Sequence, residues 1–338
     1  IIINQIITIL NDDFPKVVLR ADIKSFYESI CHGTLISKLN HNTVLSSPSK
    51  KIIKDVLNKY WKLLIADGLK SEADKRIGVP RGMGISAYLA EIYMRDFDNA
   101  VRQLEDVSYY ARYVDDVVIV FTPKSRFDNK PLEEYTEKIK EILKVRTALE
   151  VNFDKTELID LRPLTSSITA PKTHEFTFLG YKFLFKYVIT ESFAHKKVIK
   201  KTKLEKLEVC MSISRRDRYK KRLHLAFDAY KTKVVSHKKT ANRLLIKRVK
   251  YLTGNTKLVG NKSNVFVGIY FSNIQLSSPH SDLEFLNEAL KNEINSLPIT
   301  ESYLKGRLLK FDFNTGYKER SFSHYSIAKL NKILSIWN

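Results

Sequence analysis

Residues 109–121 read YYARYVDDVVIVF, two runs of β-branched and aromatic residues broken by adjacent carboxylates, Asp115 and Asp116. Unpaired charges in an apolar setting are costly, so such groups must be neutralised, paired or metal-bound. A third acid, Asp22, stands at the end of another apolar strand in VVLRADIKSFYESI. If these strands pair, three carboxylates converge at one sheet edge. Hard oxygen donors of that kind suit Mg²⁺, and two such ions can hold both oxygens of an in-line phosphoryl transfer. The competing reading is an exposed hairpin turn at Asp115–Asp116, with Asp22 capping another element, since aspartate is common in turns.

Strand and helix patterns interleave along the first half. KVVLRADIKSFY places Val17, Leu19 and Ala21 on one strand face. KKIIKDVLNKYWKLLIADG carries Ile53, Val56, Leu57, Tyr60 and Leu64 at helical spacing and stops at Gly68. GISAYLAEIYMRDFDNAV is a second helix with Leu89, Ile92, Tyr93, Phe97 and Val101 on one side, and a charged helix runs from Leu132 to Leu149. The fold class expected is α+β, with an antiparallel centre made by a tight connection at Val114–Asp116. Beyond Lys196 come two amphipathic helices with cationic outer faces, KKRLHLAFDAYKTKVV and TANRLLIKRVKYL, then a strand pair within TGNTKLVGNKSNVFVGIYFSN and helices at DLEFLNEALKNEI and YSIAKLNKILSIW.

The charge is uneven. The chain of 338 residues carries a net +21, and residues 195–262 alone hold 22 Lys or Arg against four acids. A block this concentrated points to a polyanion, nucleic acid before membrane surface. The two cysteines, Cys31 and Cys210, form no CxxC pair and read as free thiols of a reducing cytosol. No apolar run reaches membrane-spanning length. The chain opens on IIINQIITIL without a methionine or the marks of a signal peptide, so upstream sequence is expected.

Five stretches in order over residues 16–190 resemble the reverse transcriptase family: ADIKSFYESI its first acidic motif, GVPRGMGISAYLAEIYM its loop-and-helix motif, YVDD its Tyr-x-Asp-Asp signature, VNFDKTELI its lysine motif, and FTFLGYKF its Leu-Gly hairpin. The resemblance implies a right-hand polymerase: a palm over 1–190 with an antiparallel sheet flanked by helices, a basic helical thumb over 191–252, and a small C-terminal α+β region over 253–338. It implies that Asp22 and Asp115 ligate two Mg²⁺ ions with the backbone carbonyl of Ile23, that Asp116 assists, and that Lys155 protonates the leaving pyrophosphate. Tyr27 becomes the ring that excludes a ribose 2′-OH, a position Phe26 could also fill. Arg81, Gly82 and Tyr113 surround the incoming nucleotide, with Gly82 allowing close backbone approach. Leu179 and Gly180 position the primer end, and Lys220, Lys221, Arg222, Arg243, Lys247 and Arg248 grip the nucleic-acid backbone.

The chain departs from the family pattern in several places. Arg81 replaces the usual glutamine and Ala87 the usual proline, and only 21 residues precede Asp22, which places the triphosphate-binding fingers outside the sequence. Residues 1–338 alone are therefore expected to incorporate little nucleotide. Arg81, Ala87 and the C-terminal region look most like bacterial defence-associated reverse transcriptases, specifically the smaller enzyme of the type-three two-polymerase antiphage system. That likeness implies a cytoplasmic enzyme in bacteria, a dedicated noncoding RNA template, nascent DNA and deoxynucleotides as ligands, and a second polymerase subunit in a homo- or hetero-oligomer, with no membrane partner. Three alternatives stay open: a group II intron or retron-type enzyme, a template-independent polymerase that extends a protein side chain, and a non-catalytic RNA-binding scaffold. The retron Val-Thr-Gly element has only a displaced echo in YLTGN at 251–255, and the eight histidines and two cysteines show no zinc spacing.

Overall fold

Strand β1 (Val17–Ile23) alternates burial with the two-residue period of extended chain. Val17, Leu19, Ala21 and Ile23 enter one hydrophobic core, which leaves Val18, Arg20 and Asp22 on the opposite face. With β2 (Val107–Tyr113), β3 (Asp116–Phe121) and β4 (Val151–Asp160) it forms a four-stranded sheet of order β2-β3-β1-β4. Both neighbours of β1 are antiparallel to it, with Val17 opposite Phe121 and Asp22 opposite Asp116 on one side and Asp22 opposite Asn152 on the other. The computed structural model describes residues 1–12, 14–41, 44–69, 76–125, 130–162, 174–194, 197–258, 265–277 and 279–337, without the side chains of 187–206.

The chain divides into two compact units, Ile1–Phe178 with Phe185–Leu207, and Leu179–Leu184 with Glu208–Asn338. In the first, helices α1 (Ile2–Leu10), α2 (Phe26–Ser29), α3 (His32–Asn40), α4 (Ser47–Ala66), α5 (Gly84–Arg102) and α6 (Leu132–Thr147) accompany the sheet. Leu89, Ile92, Tyr93, Phe97 and Val101 of α5 are all buried, as their spacing predicts, and share the core with Tyr135, Ile139 and Leu143 of α6. Each such side chain contributes about 1.5–3 kcal/mol on leaving water. On α4 only Ile53 and Leu57 are fully buried, whereas Val56, Tyr60 and Leu64 are half-covered.

Strands β5 (His174–Phe178), β6 (Tyr181–Ala194) and β7 (Lys197–Met211) form a sheet in that order. The basic segment thus begins as strand, where the sequence reading placed the helical thumb from residue 191. Leu207, Val209 and Met211 are buried at alternate positions, and this period of two overrides the charge pattern.

In the second unit α7 (Ile213–Thr253) breaks at His237, whose φ of −140° and ψ of 58° are non-helical. The two amphipathic helices read from the sequence lie on either side of this break, burying Leu223, Phe227 and Tyr230 before it and Leu245, Val249 and Leu252 after it. The short strands β8 (Asn255–Lys257) and β9 (Phe266–Gly268) pair antiparallel, and helices α8 (His280–Asn295), α9 (Ser302–Leu308), α10 (Phe313–Lys318) and α11 (Ile327–Leu334) follow. Residues 259–264 of the expected strand-pair region lie outside the described residues. Among the described residues no helix is long and apolar enough to cross a membrane, and neither Cys31 nor Cys210 forms a disulfide.

Candidate active site

The carboxylates meet where β1 and β3 pair. Asp22 and Asp116 are cross-strand partners, and the Ile23 amide donates to the Asp115 carbonyl at 3.0 Å. Directly opposed residues of an antiparallel pair have Cα atoms about 4.5–5.5 Å apart, so residues remote in sequence meet at one end of the two central strands. Val114 and Asp115 form the two-residue connection between β2 and β3. Val114 has φ of +61°, a region that β-branched residues avoid. A strained turn persists only where its surroundings over-determine it, and here it sets Asp115 beside Ile23 at the end of β1.

The two members of the Asp pair have different neighbours. Asp116 accepts from Arg20 Nε at 3.0 Å, with both side chains mostly buried at 20% and 17% exposure. Burial pushes the Asp116 carboxyl up to about 6, with Asp22 and Asp115 adding repulsion, and the Arg20 guanidinium limits the rise. Arg20 also donates to the Lys155 carbonyl at 3.2 Å. On the same side Lys155 Nζ lies 3.5 Å from Asp22 Oδ2, and Asn152 Nδ2 lies 3.4 Å from that oxygen.

Asp115 faces a different feature, a cleft of about 490 Å³ lined by Tyr27, Arg81, Gly82, Tyr113 and Asp115, among others. Burial, then the Asp115 charge, pushes the Tyr27 phenol up. Phe26 contributes to the wall, yet at 2% exposure it belongs to the core, so Tyr27 is the ring presented to the cleft. Gly82 has φ of +81° and nothing within 4 Å of where a Cβ would sit, which leaves its backbone open to close approach. Arg81 is exposed and paired with Glu28. Burial pushes the Glu28 carboxyl up, but the Arg81 guanidinium outweighs it and leaves the group below its ordinary value.

The oxygen-rich set fits a divalent cation in a limited sense. Asp22, Asp115 and the Ile23 carbonyl are hard donors at one edge, and Mg²⁺ is ordinarily held by one or two carboxylates plus substrate phosphates. Among the described residues no three His, Cys, Asp or Glu side chains form a ready-made metal cluster. Asp116 is turned to Arg20, and Asp22 lies beside Lys155 and Asn152.

Comparison with known proteins gives the family. The family model described as reverse transcriptase (RNA-dependent DNA polymerase) matches residues 8–183, more than half of the chain. The chain belongs to the reverse transcriptase family. No curated protein matches it. Among solved structures, telomerase from Candida albicans in complex with a TWJ fragment of telomeric RNA is 14% identical, with a TM-score of 0.37 over 92% of this chain and 52% of that one. Telomerase from Candida tropicalis in the same kind of complex is 16% identical, with a TM-score of 0.33 over 99% and 45%. The reverse transcriptase chain spans about half the length of these structures.

The remaining expected residues of this reverse transcriptase lie in the second unit. Leu179 and Gly180 make a turn with φ of +49° and +76°. Arg215, which sequence reading passed over as one more cation, donates from Nη2 to the Leu179 carbonyl at 2.9 Å and from Nη1 to Ser272 O and Asn273 Oδ1, both at 3.1 Å. Lys220, Lys221 and Arg243 are exposed, and Arg222 and Lys247 are half-buried. Arg222 accepts from Trp337 Nε1 through its carbonyl at 3.0 Å. Arg248 departs from its expected place on a phosphate-gripping surface. It is 1% exposed and donates to the carbonyls of Ile333 and Lys332, tying α7 to the end of α11. Helical periodicity put it near the wet face, but the packing of α11 encloses it. Arg20 was also missed, although its position two residues before Asp22 on a strand places it on the same face.

Proposed function

We propose that this chain forms the nucleotidyl-transfer part of an RNA-directed DNA polymerase that adds deoxynucleotides to a 3′-OH. The observation that carries the reading is the pairing of Asp22 with Asp116 across β1 and β3, with Asp115 on the intervening turn and in the wall of the cleft that Tyr27 and Gly82 line. Asp22, Asp115 and the Ile23 carbonyl are the groups that would hold two Mg²⁺ ions. When bound, such ions stabilise charge on the attacking and leaving oxygens. In the transfer the 3′-OH loses its proton to solvent as its oxygen bonds to the α-phosphorus and the bond to pyrophosphate breaks, and Lys155 would supply a proton to that leaving group. Tyr27 closes the sugar side of the cleft against a 2′-OH, and the open backbone of Gly82 lets the base pair lie close. Arg20 holds Asp116 in place beside the pair.

The finer reading is a bacterial, cytoplasmic defence enzyme that copies a dedicated noncoding RNA with a second polymerase and protects against phage. It rests on Arg81, Ala87 and the character of the C-terminal region. Lys220, Lys221 and Arg243 supply the sequence-independent grip of its thumb.

Primer extension on an RNA template by the full-length natural protein tests the enzyme reading. Asp115→Asn is expected to abolish incorporation and leave RNA binding intact, and undiminished extension by that variant would defeat it. Sequencing the DNA made in cells separates copying from its rival, since a repeat complementary to a bound RNA marks a template and random sequence attached to protein marks its absence. Phage plating with wild type and Asp115→Asn tests the defence role.

A further inference from the structure

The C-terminal part of the second unit carries an aromatic surface that the polymerase reading leaves unused. Phe266 on β9 is 46% exposed and Phe322 is 37% exposed. Their ring centroids lie 5.9 Å apart, and His324, also exposed, stacks edge-on against Phe322 at 4.9 Å. Phe271 backs Phe266 at 5.2 Å. Large rings left together in water are unfavourable, so a contiguous exposed group of them marks an interaction surface.

The backbone beneath this surface is rigidly made. Asn255 Nδ2 donates to the carbonyls of Gly316 at 3.0 Å and Ser321 at 3.2 Å, while its Oδ1 accepts from the Tyr270 amide at 2.9 Å. Asn255 also forms a parallel bridge with Phe322 and an antiparallel pair with Gly268. One buried amide therefore ties segment 254–258 to the two segments that present the rings, 265–271 and 316–324. A Cβ at Gly268 would sit 2.4 Å from the Gly254 carbonyl and one at Gly316 1.7 Å from the Thr253 carbonyl. The Leu-Thr-Gly-Asn stretch at 252–255 thus has a structural account, with Gly254 and Asn255 bonded directly into the base of the platform.

Charge selects among occupants. These three segments hold Lys257, Lys318 and Arg320 against one acid, Glu319. Lys257 Nζ lies 5.8 Å from the Phe266 ring centre, and the Arg320 guanidinium lies 4.5 Å from that of Tyr270. Rings beside cations match unpaired bases on a phosphate backbone, since every base offers a face to stack on and every linkage an anion to pair. An apolar protein partner would not call for the cations, and an acidic one would not call for the bare rings.

We propose that Phe266 and Phe322, with Lys257 and Arg320, form a stacking platform for a single-stranded segment of nucleic acid. It shares no residue with the cleft at Asp115, so it stands or falls independently of the polymerase reading.

The test is fluorescence anisotropy of the full-length protein with labelled 20-nucleotide oligo-U, oligo-dT and an abasic strand of the same length. Wild type is expected to bind the strands that carry bases at least tenfold more tightly than the abasic one, given the usual gain from base–aromatic stacking. Phe266→Leu with Phe322→Leu keeps the apolar volume and is expected to erase that difference while binding the abasic strand as wild type does. The paired Phe→Tyr variants should retain it. The readout is binding and not extension, which separates this result from failure of catalysis. Comparison of oligo-U with oligo-dT assigns RNA or DNA as the natural occupant. Equal binding of abasic and base-bearing strands by wild type would overturn the proposal. So would Leu variants that keep the preference, or a wild-type dimer that the Leu variants alone dissolve in sedimentation, since that would make a second copy the occupant.

Discussion

Arg20 Nε lies 3.0 Å from Asp116 Oδ1, joining the middle of β1 to the first residue of β3 beside the catalytic candidates Asp22 and Asp115. Arg20 also reaches the Lys155 carbonyl on β4, so one guanidinium spans three strands of the sheet. Removing it leaves a largely buried carboxylate facing two others.

Arg20→Ala is therefore expected to lower unfolding free energy by about 2 kcal/mol, below the full cost of breaking a completely buried pair because both groups keep some solvent. Urea denaturation at neutral pH measures this. The double variant Arg20→Ala with Asp116→Asn should recover part of the loss, since the stranded charge is gone.

Gly180→Ala is expected to cost about 1–2 kcal/mol, because an L-residue resists the left-handed region. Its Cβ would also lie 2.7 Å from Arg215 Nη2, loosening the clamp on Leu179. Thermal melting of this variant should show the loss, and Gly84→Ala, which has no Cβ neighbour within 4 Å and lies in a helix, should not.

His32 predicts a pH effect. It is buried, its Nε2 donates to the Gly78 carbonyl at 2.6 Å, and burial holds its pKa below the ordinary value of 6.5, with Arg76 opposing the charge as well. The unfolded chain then binds more protons than the folded one below pH 6.5, so the stability from neutral His32 is full above that pH and declines as pH falls. Urea midpoints measured from pH 7.5 downward should drop more steeply for wild type than for His32→Gln.

Arginine 248 and its neighbours on α7 should separate cleanly. Lys220→Gln, Lys221→Gln and Arg243→Gln should each reduce the salt slope of nucleic-acid binding by about one, the value for a single lost phosphate contact. Arg248→Met should leave that slope unchanged and instead lower stability by about 2 kcal/mol, as two buried carbonyls lose their donor.

The sequence by itself determined the helices and strands whose periodicity is strong, as in α5 with its five buried apolar positions and β1 with its alternation. It also determined the family, because five local patterns resemble that family's motifs in order and the family model matches residues 8–183. Tertiary structure alone decided which charges are paired. Arg20 and Asp116 are 96 residues apart, and nothing in either neighbourhood names the other, since cross-strand register is set by packing of the whole sheet face. The same holds for Arg248, whose place on a basic helix suggests solvent until α11 covers it, and for Phe266 and Phe322, which meet only because Asn255 fastens distant segments together. Local pattern encodes which face of an element is apolar; the arrangement of elements decides what each face meets.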